Sequence, residues 1–571
     1  MHQNHLHSSI KKIPEGLATT SENKCELLSQ HYKSVFVSDD QQLPSCEQKM
    51  AVDSLTDISI TEGDIIAALK SSNPNSSPGV DNIYPKVIMN IMCYIVKPLH
   101  NIFEESLAEG CIPSDWTSSI ITPVYKKNRK PNECASYRPI NLTCFLSKVL
   151  ERIIYKKILQ YLQRNNLISK SQHGFLSKKS TITNLLTCTF DWVTFLGDKK
   201  SFDVIYIDYE KAFDRVPHRK LLYKLGKLGI GGSLLSWLKS FLTNRNQSVK
   251  VGNHFSKMEK TESGVAQGTL LGPLMFLLYI SDVSDVIEPG CKISLYADDS
   301  KIYGGCDTEG EKENLVKTIE NLEAWCEAWQ LKIHPDKSEV MHVGCRNSKI
   351  EHFIAGNVVS SVDSCRDLGV TIGKDLYFRE HCENLARNGH FHCKTFRRAF
   401  ASNDRNFLTF LYTTYILPKL EYASNVWSPY MKMDIDLIEN VQRKFTKLLP
   451  GLFDTPYLER LQLLKLLTLE ERRIYSDIVL LYKIIHGLVD IQFHDYFRIN
   501  TSNTRGHAFK LEILSVRLNC QKYHFFNRTV KIWNSIPSEI VCIGKLAHFK
   551  KQILNFNVKN YCIGRAILSP E

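Results

Sequence analysis

The stretch Lys292–Tyr303, KISLYADDSKIY, places two adjacent carboxylates between two short segments of high β-propensity. Only Asp298 and Asp299 separate Ile293–Ala297 from Ser300–Tyr303, so we predict a tight hairpin with the Asp pair as its loop. Adjacent carboxylates repel each other. Mg²⁺, which binds through one or two carboxylates plus phosphates, would remove that repulsion. A solvated turn is the commoner explanation of such a dipeptide alone.

A second acidic strand lies upstream, in Phe202–Asp214. Val204–Ile207 is an unbroken apolar run, which is typical of a strand covered on both faces. Asp208 follows directly, at the carboxyl end where open α/β sheets bind ligands. A helix carrying Phe213 is expected next. An Asp at a strand end and an Asp pair on a hairpin can share two metal ions about 4 Å apart, as nucleotidyl transfer requires.

Composition limits the class of protein. The 571 residues suffice for several domains, and the net charge of +12 suits a polyanionic partner. The 17 cysteines are scattered without a Cys-x-x-Cys pair, which indicates reduced thiols rather than a disulfide framework. The amino terminus lacks the apolar segment of a signal peptide, and no apolar run approaches the ~20 residues that cross a bilayer. These features predict an intracellular protein without membrane attachment.

The amino-terminal part offers local signals. Residues 1–56 are polar and weakly patterned, and we assign them no chemistry. Thr61 and Asp64 predict a capping box that opens a helix. We expect one apolar helix over 85–109 and another over 147–165.

A basic segment follows a β-prone run in Trp116–Lys130, and Tyr137–Leu142 comes shortly after it. Clustered Arg and Lys side chains suit a triphosphate, because Arg offers a bidentate fork and Lys a mobile charge. A solvated basic hairpin is the alternative.

Three glycines, Gly264, Gly268 and Gly272, precede an apolar helix that we expect to end near Val286. Glycines allow a ligand to approach the backbone, and a helix N-terminus favours anions. This segment is therefore a candidate anion-binding loop.

Taken in order, these segments resemble the reverse transcriptases of non-LTR (LINE-type) retrotransposons, in particular those of jockey-like elements. Asp208–Asp214 (DYEKAFD), Gly264–Gly268 (GVAQG) and Tyr296–Asp299 (YADD) have the order and approximate spacing of motifs A, B and C. The likeness covers roughly residues 57–540. Further matching segments are Ser77–Asp81, Tyr137–Leu142, Gln172–Phe175, His334–Glu339 (motif D), Asp367–Val370 (motif E), Leu420–Pro429 and Ile438–Arg443.

The resemblance implies a role for each matching acidic or aromatic position. Asp208 and Asp298 would be the principal ligands of two Mg²⁺ ions, or of Mn²⁺ in their place, with Asp299 beside them. Phe213 would be the steric gate that excludes a ribose 2′-hydroxyl by clash. Lys337 would lie near the pyrophosphate and act as general acid.

The resemblance also implies the residues that bind the nucleotide. Gln267 and Gly268 would position the incoming nucleotide and the template. Arg138, together with either Lys126 or Lys127, would hold the triphosphate.

The fold implied is α/β, with an α+β palm, in a right-hand polymerase that has fingers, a palm, a helical thumb and a mostly helical C-terminal region. The expected segments are a leader over 1–56, fingers with an N-terminal extension over 57–200, a palm over 201–345, motif E and the thumb over 346–480, and the C-terminal region over 481–571.

The function implied is RNA-directed DNA polymerase activity, with an RNA template, a DNA primer or nicked target DNA, and deoxynucleoside triphosphates. The family suggests a ribonucleoprotein of the nucleus and cytoplasm. Residues before 57 leave no room for an endonuclease domain, so we expect nicking to come from elsewhere. The alternatives are a catalytically inactive RNA-binding remnant, which would not need Asp208, Asp298, Asp299 and Lys337, and an intron-encoded maturase, against which the jockey-like segment 420–443 argues.

The distal third is predicted to be helical over 375–480. Its basic residues Lys394, Arg397 and Arg398 suit contacts with duplex phosphates, although solvated helix faces are an equal alternative. A group of His and Cys residues over 381–393 matches no zinc-finger spacing. Phe526 and Trp533 are expected to be packing residues.

Overall fold

The structure is a computed structural model that describes residues 10–11, 17–45, 53–126, 129–400, 402–500 and 507–564. Its strands are β1 (Ile10–Lys11), β2 (Leu17–Ala18), β3 (Ser118–Tyr125), β4 (Tyr137–Leu142), β5 (Phe202–Ile207), β6 (Asn246–Val251), β7 (His254–Phe255), β8 (Glu259–Lys260), β9 (Cys291–Tyr296), β10 (Asp299–Gly305), β11 (Glu339–Val343), β12 (Phe353–Ile354), β13 (Asn357–Val358), β14 (Ser360–Ser361), β15 (Ser364–Asp367) and β16 (Val370–Gly373).

The helices are α1 (Ser21–Lys33), α2 (Glu62–Lys70), α3 (Pro85–Asn90), α4 (Met92–Glu109), α5 (Phe145–Arg164), α6 (Thr181–Gly197), α7 (His218–Lys227), α8 (Gly232–Leu242), α9 (Leu271–Tyr279), α10 (Glu309–Ala328), α11 (Arg379–Ala399), α12 (Arg405–Leu411), α13 (Leu417–Glu421), α14 (Ser424–Trp427), α15 (Lys432–Lys447), α16 (Tyr457–Leu464), α17 (Leu469–Ile485), α18 (Phe493–Tyr496), α19 (Asn519–Lys522), α20 (Phe525–Asn534), α21 (Ser538–Val541) and α22 (Leu546–Gln552). Among the residues described, no helix is both long and apolar enough to span a bilayer.

The chain divides into two compact units that alternate along the sequence. The first unit comprises Met1–Phe175, Ile207–Ile287 and Lys317–Pro335. The second comprises Leu176–Tyr206, Glu288–Val316 and Asp336–Glu571.

A five-stranded sheet organises the first unit. The strand order is β4-β3-β6-β7, and β8 also pairs with β6. Helix α1 packs on this sheet because its apolar side chains Cys25, Leu28 and Tyr32 share a core with Ile121 and Val249. Part of the segment to which we assigned no chemistry therefore belongs to the core of this unit.

A second five-stranded sheet, of order β14-β11-β5-β10-β9, organises the second unit. Phe202, Val204 and Ile205 of β5 are fully buried, which confirms the prediction of a strand covered on both faces. The core extends into the C-terminal helices, where Phe526 and Trp533 are buried as packing residues, as predicted.

Most local helix predictions are confirmed. Thr61 caps α2 in a reciprocal capping box with Asp64. Helix α5 matches the span predicted over 147–165 to within two residues at its start, and the segment over 375–480 is rich in helices. The single helix predicted over 85–109 is wrong, because Ile91, with ψ of 15°, separates α3 from α4.

Candidate active site

The acidic hairpin lies in the second unit and differs from the prediction by one residue. Strands β9 and β10 pair with Tyr296 opposite Asp299, so the two-residue turn is Ala297-Asp298 and not the Asp pair. The turn therefore lies one residue earlier in the chain than predicted, and Ala297 in it adopts a left-handed φ of 58°. Asp298 is half-buried in the turn, whereas Asp299 is exposed at the start of β10.

Asp208 lies in the first unit, directly after the end of β5. Its carbonyl oxygen accepts a hydrogen bond from the His334 N–H at 2.8 Å. Two residues on, the Glu210 N–H donates to the Lys332 carbonyl oxygen at 2.7 Å. The backbone that carries Asp208 is thus hydrogen-bonded to the first residue of motif D and to the segment just before it.

Lys337, the predicted general acid, is exposed in a short 3₁₀ turn, Pro335–Lys337. This turn directly precedes Ser338 and β11 in the second unit. In the part of the chain that the structure describes, no three His, Cys, Asp or Glu side chains are already gathered closely enough to hold a metal ion.

Phe213 lies in a turn that precedes α7, so its predicted place on a helix is wrong. Its ring stacks on Phe276 with centroids 4.4 Å apart, and the ring of Phe175 approaches it edge-on at 6.5 Å. The side chain is half-buried. Contacts with two other rings restrict the orientation of the Phe213 ring.

The motif B loop is attached to the sheet of the first unit. The Asn141 N–H on β4 donates to the Gln267 carbonyl oxygen at 2.7 Å, and the Gln267 side-chain amide donates to Asp214 at 3.1 Å. Gly268 has a φ of 110°, and a Cβ there would lie 2.6 Å from the Asn141 carbonyl oxygen. Only glycine fits this close approach of two backbones.

The helix after the glycines is not an open anion site, contrary to our expectation. Fully buried Glu151 accepts hydrogen bonds from the N–H groups of Leu270, at 2.8 Å, and Leu271, at 3.4 Å. Burial raises the pKa of this carboxyl, and the two N–H donors partly offset that effect. The protein's own side chain therefore occupies the N-terminus of α9, which ends at Tyr279 rather than near Val286.

Cations do converge at the end of the β3–β4 pair. Burial and the nearby cations Lys211, Arg138 and Arg129 lower the pKa of Lys126 to about 8, against a smaller opposing effect of Asp214. The alternative triphosphate ligand, Lys127, lies outside the described residues. The structure thus brings the predicted Lys126 and Arg138 together.

Two residues of this cluster were missed in the sequence. Lys211 could have been found from its place in motif A, three residues after Asp208. No sequence pattern indicated His31, because it lies on helix α1, far from the other members of the cluster in the sequence. Burial, Lys211 and Lys126 lower the pKa of His31 to about 4, so its ring is neutral near pH 7.

Part of the chain matches a known protein family. Residues 125–372 match the family described as reverse transcriptase (RNA-dependent DNA polymerase). The structure of this segment is of mixed α/β type, which is consistent with a polymerase palm. The match includes the candidate residues from Lys126 to Lys337.

The chain is also similar to individual polymerases of insect mobile elements. The RNA-directed DNA polymerase from mobile element jockey of Drosophila melanogaster is 26% identical over 388 residues, which cover 66% of this chain and 42% of that protein. Its counterpart of the same name in Drosophila funebris is 26% identical over 471 residues, which cover 78% of this chain and 50% of that protein. The chain spans about half the length of these relatives.

Proposed function

We propose that the chain is an RNA-directed DNA polymerase that copies retrotransposon RNA into DNA, with nicked target DNA as the primer. The placement of the acidic motifs within the family match carries the proposal. Strand β5 ends one residue before Asp208, and β10, its neighbour in the sheet, begins at Asp299. Such acidic strand ends are what a nucleotidyl transferase needs for its metal ions.

The donor set fits Mg²⁺. Asp208, Asp298 and Asp299 would hold two ions through carboxylate oxygens, the ligands that this hard cation prefers. A complete protein cage is unnecessary, because Mg²⁺ keeps waters and takes further ligands from substrate phosphates. When bound, the ions would activate the primer 3′-hydroxyl and stabilise the leaving oxygen.

The protein's own residues would supply the remaining functions. Lys126, Arg138 and Lys211 would bind the triphosphate, while Gln267 and Gly268 orient the nucleotide against the template. Lys337, exposed on its turn, would donate a proton to the leaving pyrophosphate.

The proposed right-hand architecture assigns fingers to the β3–β4 region and the palm to the sheet that contains β5 and β10. It assigns the thumb to 346–480, in helices α11 to α16 and most of α17, and 481–571 to a separate C-terminal region. Lys394, Arg397 and Arg398 are exposed on α11, as contacts with duplex phosphates require. RNA template, DNA primer and deoxynucleotides are the proposed partners, in a ribonucleoprotein of the nucleus and cytoplasm.

Primer extension on an RNA template tests the proposal. We expect DNA synthesis that requires deoxynucleotides and Mg²⁺, stops when the metal is chelated, and resumes when Mg²⁺ is restored. Protein that binds primed RNA yet extends nothing would contradict the proposal and favour the RNA-binding remnant.

Phe213→Ala is expected to admit ribonucleotides. Removing the Phe213 ring should remove a steric penalty against ribonucleotides of about 1–3 kcal/mol, which corresponds to roughly 5–150-fold in discrimination. Competing single additions of dATP and ATP would measure it. Phe255→Ala is the matched control, because Phe255 is an exposed ring on β7 of the same unit. Unchanged discrimination in Phe213→Ala would remove the steric gate from this position.

The charge of Lys126 predicts a pH dependence of nucleotide use. As pH rises through about 8, the free enzyme loses this proton and the attraction for the triphosphate falls. We therefore expect kcat/KM for deoxynucleotides to decrease above about pH 8 in the wild type. Lys126→Arg should keep it level, because a guanidinium stays charged. Lys260→Arg, at an exposed lysine on β8, should retain the wild-type profile.

A further inference from the structure

A buried ion pair in the second unit joins two hairpins. The Lys301 ammonium of β10 donates to the Asp367 carboxylate of β15, and the two side chains are only 4% and 6% exposed. Lys301 lies two residues after Asp299, and Asp367 lies directly before the tight turn between β15 and β16. The pair therefore connects the strand of the acidic motif to the motif E hairpin.

Other hydrogen bonds hold the same two hairpins on helix α6. The Tyr422 hydroxyl donates to the Leu368 carbonyl oxygen in the motif E turn, at 2.9 Å, and forms a hydrogen bond with the Thr181 hydroxyl at 3.1 Å. The Asn184 side chain donates to Ser294 on β9 at 2.8 Å. Neutral bonds thus bring the two hairpins to one helix, and Lys301–Asp367 links them directly.

Stability alone does not account for a charged pair at this position. Replacing a buried ion pair by apolar side chains of similar volume is often neutral or stabilising, whereas separating its members leaves buried charge uncompensated. A pair of this kind penalises every relative placement of the two hairpins except the one that keeps the charges in contact. The distinctive contribution of the pair is to fix one arrangement of the two hairpins.

We infer that Lys301 and Asp367 are positioning residues that fix the motif E hairpin relative to the acidic hairpin during nucleotide addition. The inference rests on the proposed polymerase function. In this role the pair itself binds neither substrate nor metal, although Lys301 interacts electrostatically with Asp299. The pair acts on the rate of the chemical step through the placement of Asp298 and Asp299, and the affinity for nucleotide is left unchanged.

The test separates position from stability. Lys301→Met and Asp367→Leu are expected to lower both the unfolding midpoint and the single-turnover rate of nucleotide addition. The double variant Lys301→Met/Asp367→Leu should regain the wild-type urea midpoint, because no buried charge is left unpaired. Its rate should stay at least tenfold below wild type, with the apparent Kd for nucleotide within twofold. If a single variant does not fold, the double variant alone decides.

A matched control lies at the open end of the same hairpin. Asp363 and Lys374 form an ion pair at 2.6 Å, but their side chains are 85% and 50% exposed. Lys374→Met/Asp363→Leu should behave as wild type in both rate and stability.

The outcomes are distinct. A buried-pair double variant that regains the rate together with the stability would overturn the inference and leave the polymerase proposal standing. A wild type that binds primed RNA but extends nothing would overturn both.

Discussion

Replacing Asp298 by asparagine is expected to slow nucleotide addition at least about 100-fold, since even changes to the groups surrounding metal ligands cost about 10–100-fold. Asparagine keeps the shape of the side chain and tolerates turns, but it loses the charge that would bind Mg²⁺. Because Asp298 is half-buried in a two-residue turn, the hairpin itself should persist. Single-turnover extension of a primed RNA, with binding of that RNA measured in parallel, provides the test.

Asp363→Asn is the matched control, because it makes the same chemical change in the same unit at a side chain that is 85% exposed. It should extend at the wild-type rate. Asp298→Asn protein that binds primed RNA normally and adds nucleotides within threefold of wild type would exclude this carboxylate as a metal ligand.

Local physics made part of this fold predictable. The capping box of Thr61 and Asp64 satisfies backbone groups within one helical turn, so the sequence of a few residues decides it. Strand β5 was predictable because its apolar run has no polar face to expose. The order of the acidic motifs along the chain could likewise be recognised without the tertiary structure.

The errors concern residues whose surroundings are distant in sequence. Glu151 caps α9 from 119 residues away, and nothing near the glycines announces a buried acid there. His31 reaches the cation cluster through packing of α1 on a sheet built from later strands.

The hairpin register was mistaken for a different reason. It requires Ala297 at a left-handed φ, which costs an L-residue roughly 1–2 kcal/mol and is therefore disfavoured by local propensity. The cross-strand pairing of Tyr296 with Asp299 outweighs this local cost. Only the tertiary structure shows that Asp298 occupies the turn and Asp299 the strand.

The second large effect is expected at Asp203, a fully buried carboxylate on β5, five residues before Asp208. It accepts hydrogen bonds from His342, His352 and Asn347, each at 2.8 Å. Asp203 and His342 are also cross-strand partners on β5 and β11. The cluster therefore fixes the strand that leads to motif A from three directions.

The ionised state of Asp203 is stabilised by its neighbours. Burial alone would raise its pKa, but the bonds from His342, His352 and Asn347 outweigh that effect and lower the pKa to about 2. A carboxyl with a lower pKa in the folded state stabilises the fold above its unfolded pKa and loses that contribution as it is protonated. The stabilisation should be complete at neutral pH and decline as pH falls from about 4 through 2.

Asp203→Asn is expected to destabilise the second unit by about 3–5 kcal/mol at pH 7, because a carboxamide nitrogen then faces a ring N–H donor in a buried site. Amide hydrogen exchange of β5 and β11 would locate the loss, and the urea midpoint would show its size. Between pH 4 and 2 the free energy of unfolding should fall less in the variant than in the wild type, because the variant has no Asp203 carboxylate to protonate. Asp363→Asn again serves as control, and exchange rates in Asp203→Asn equal to that control would show that the cluster does not hold β5.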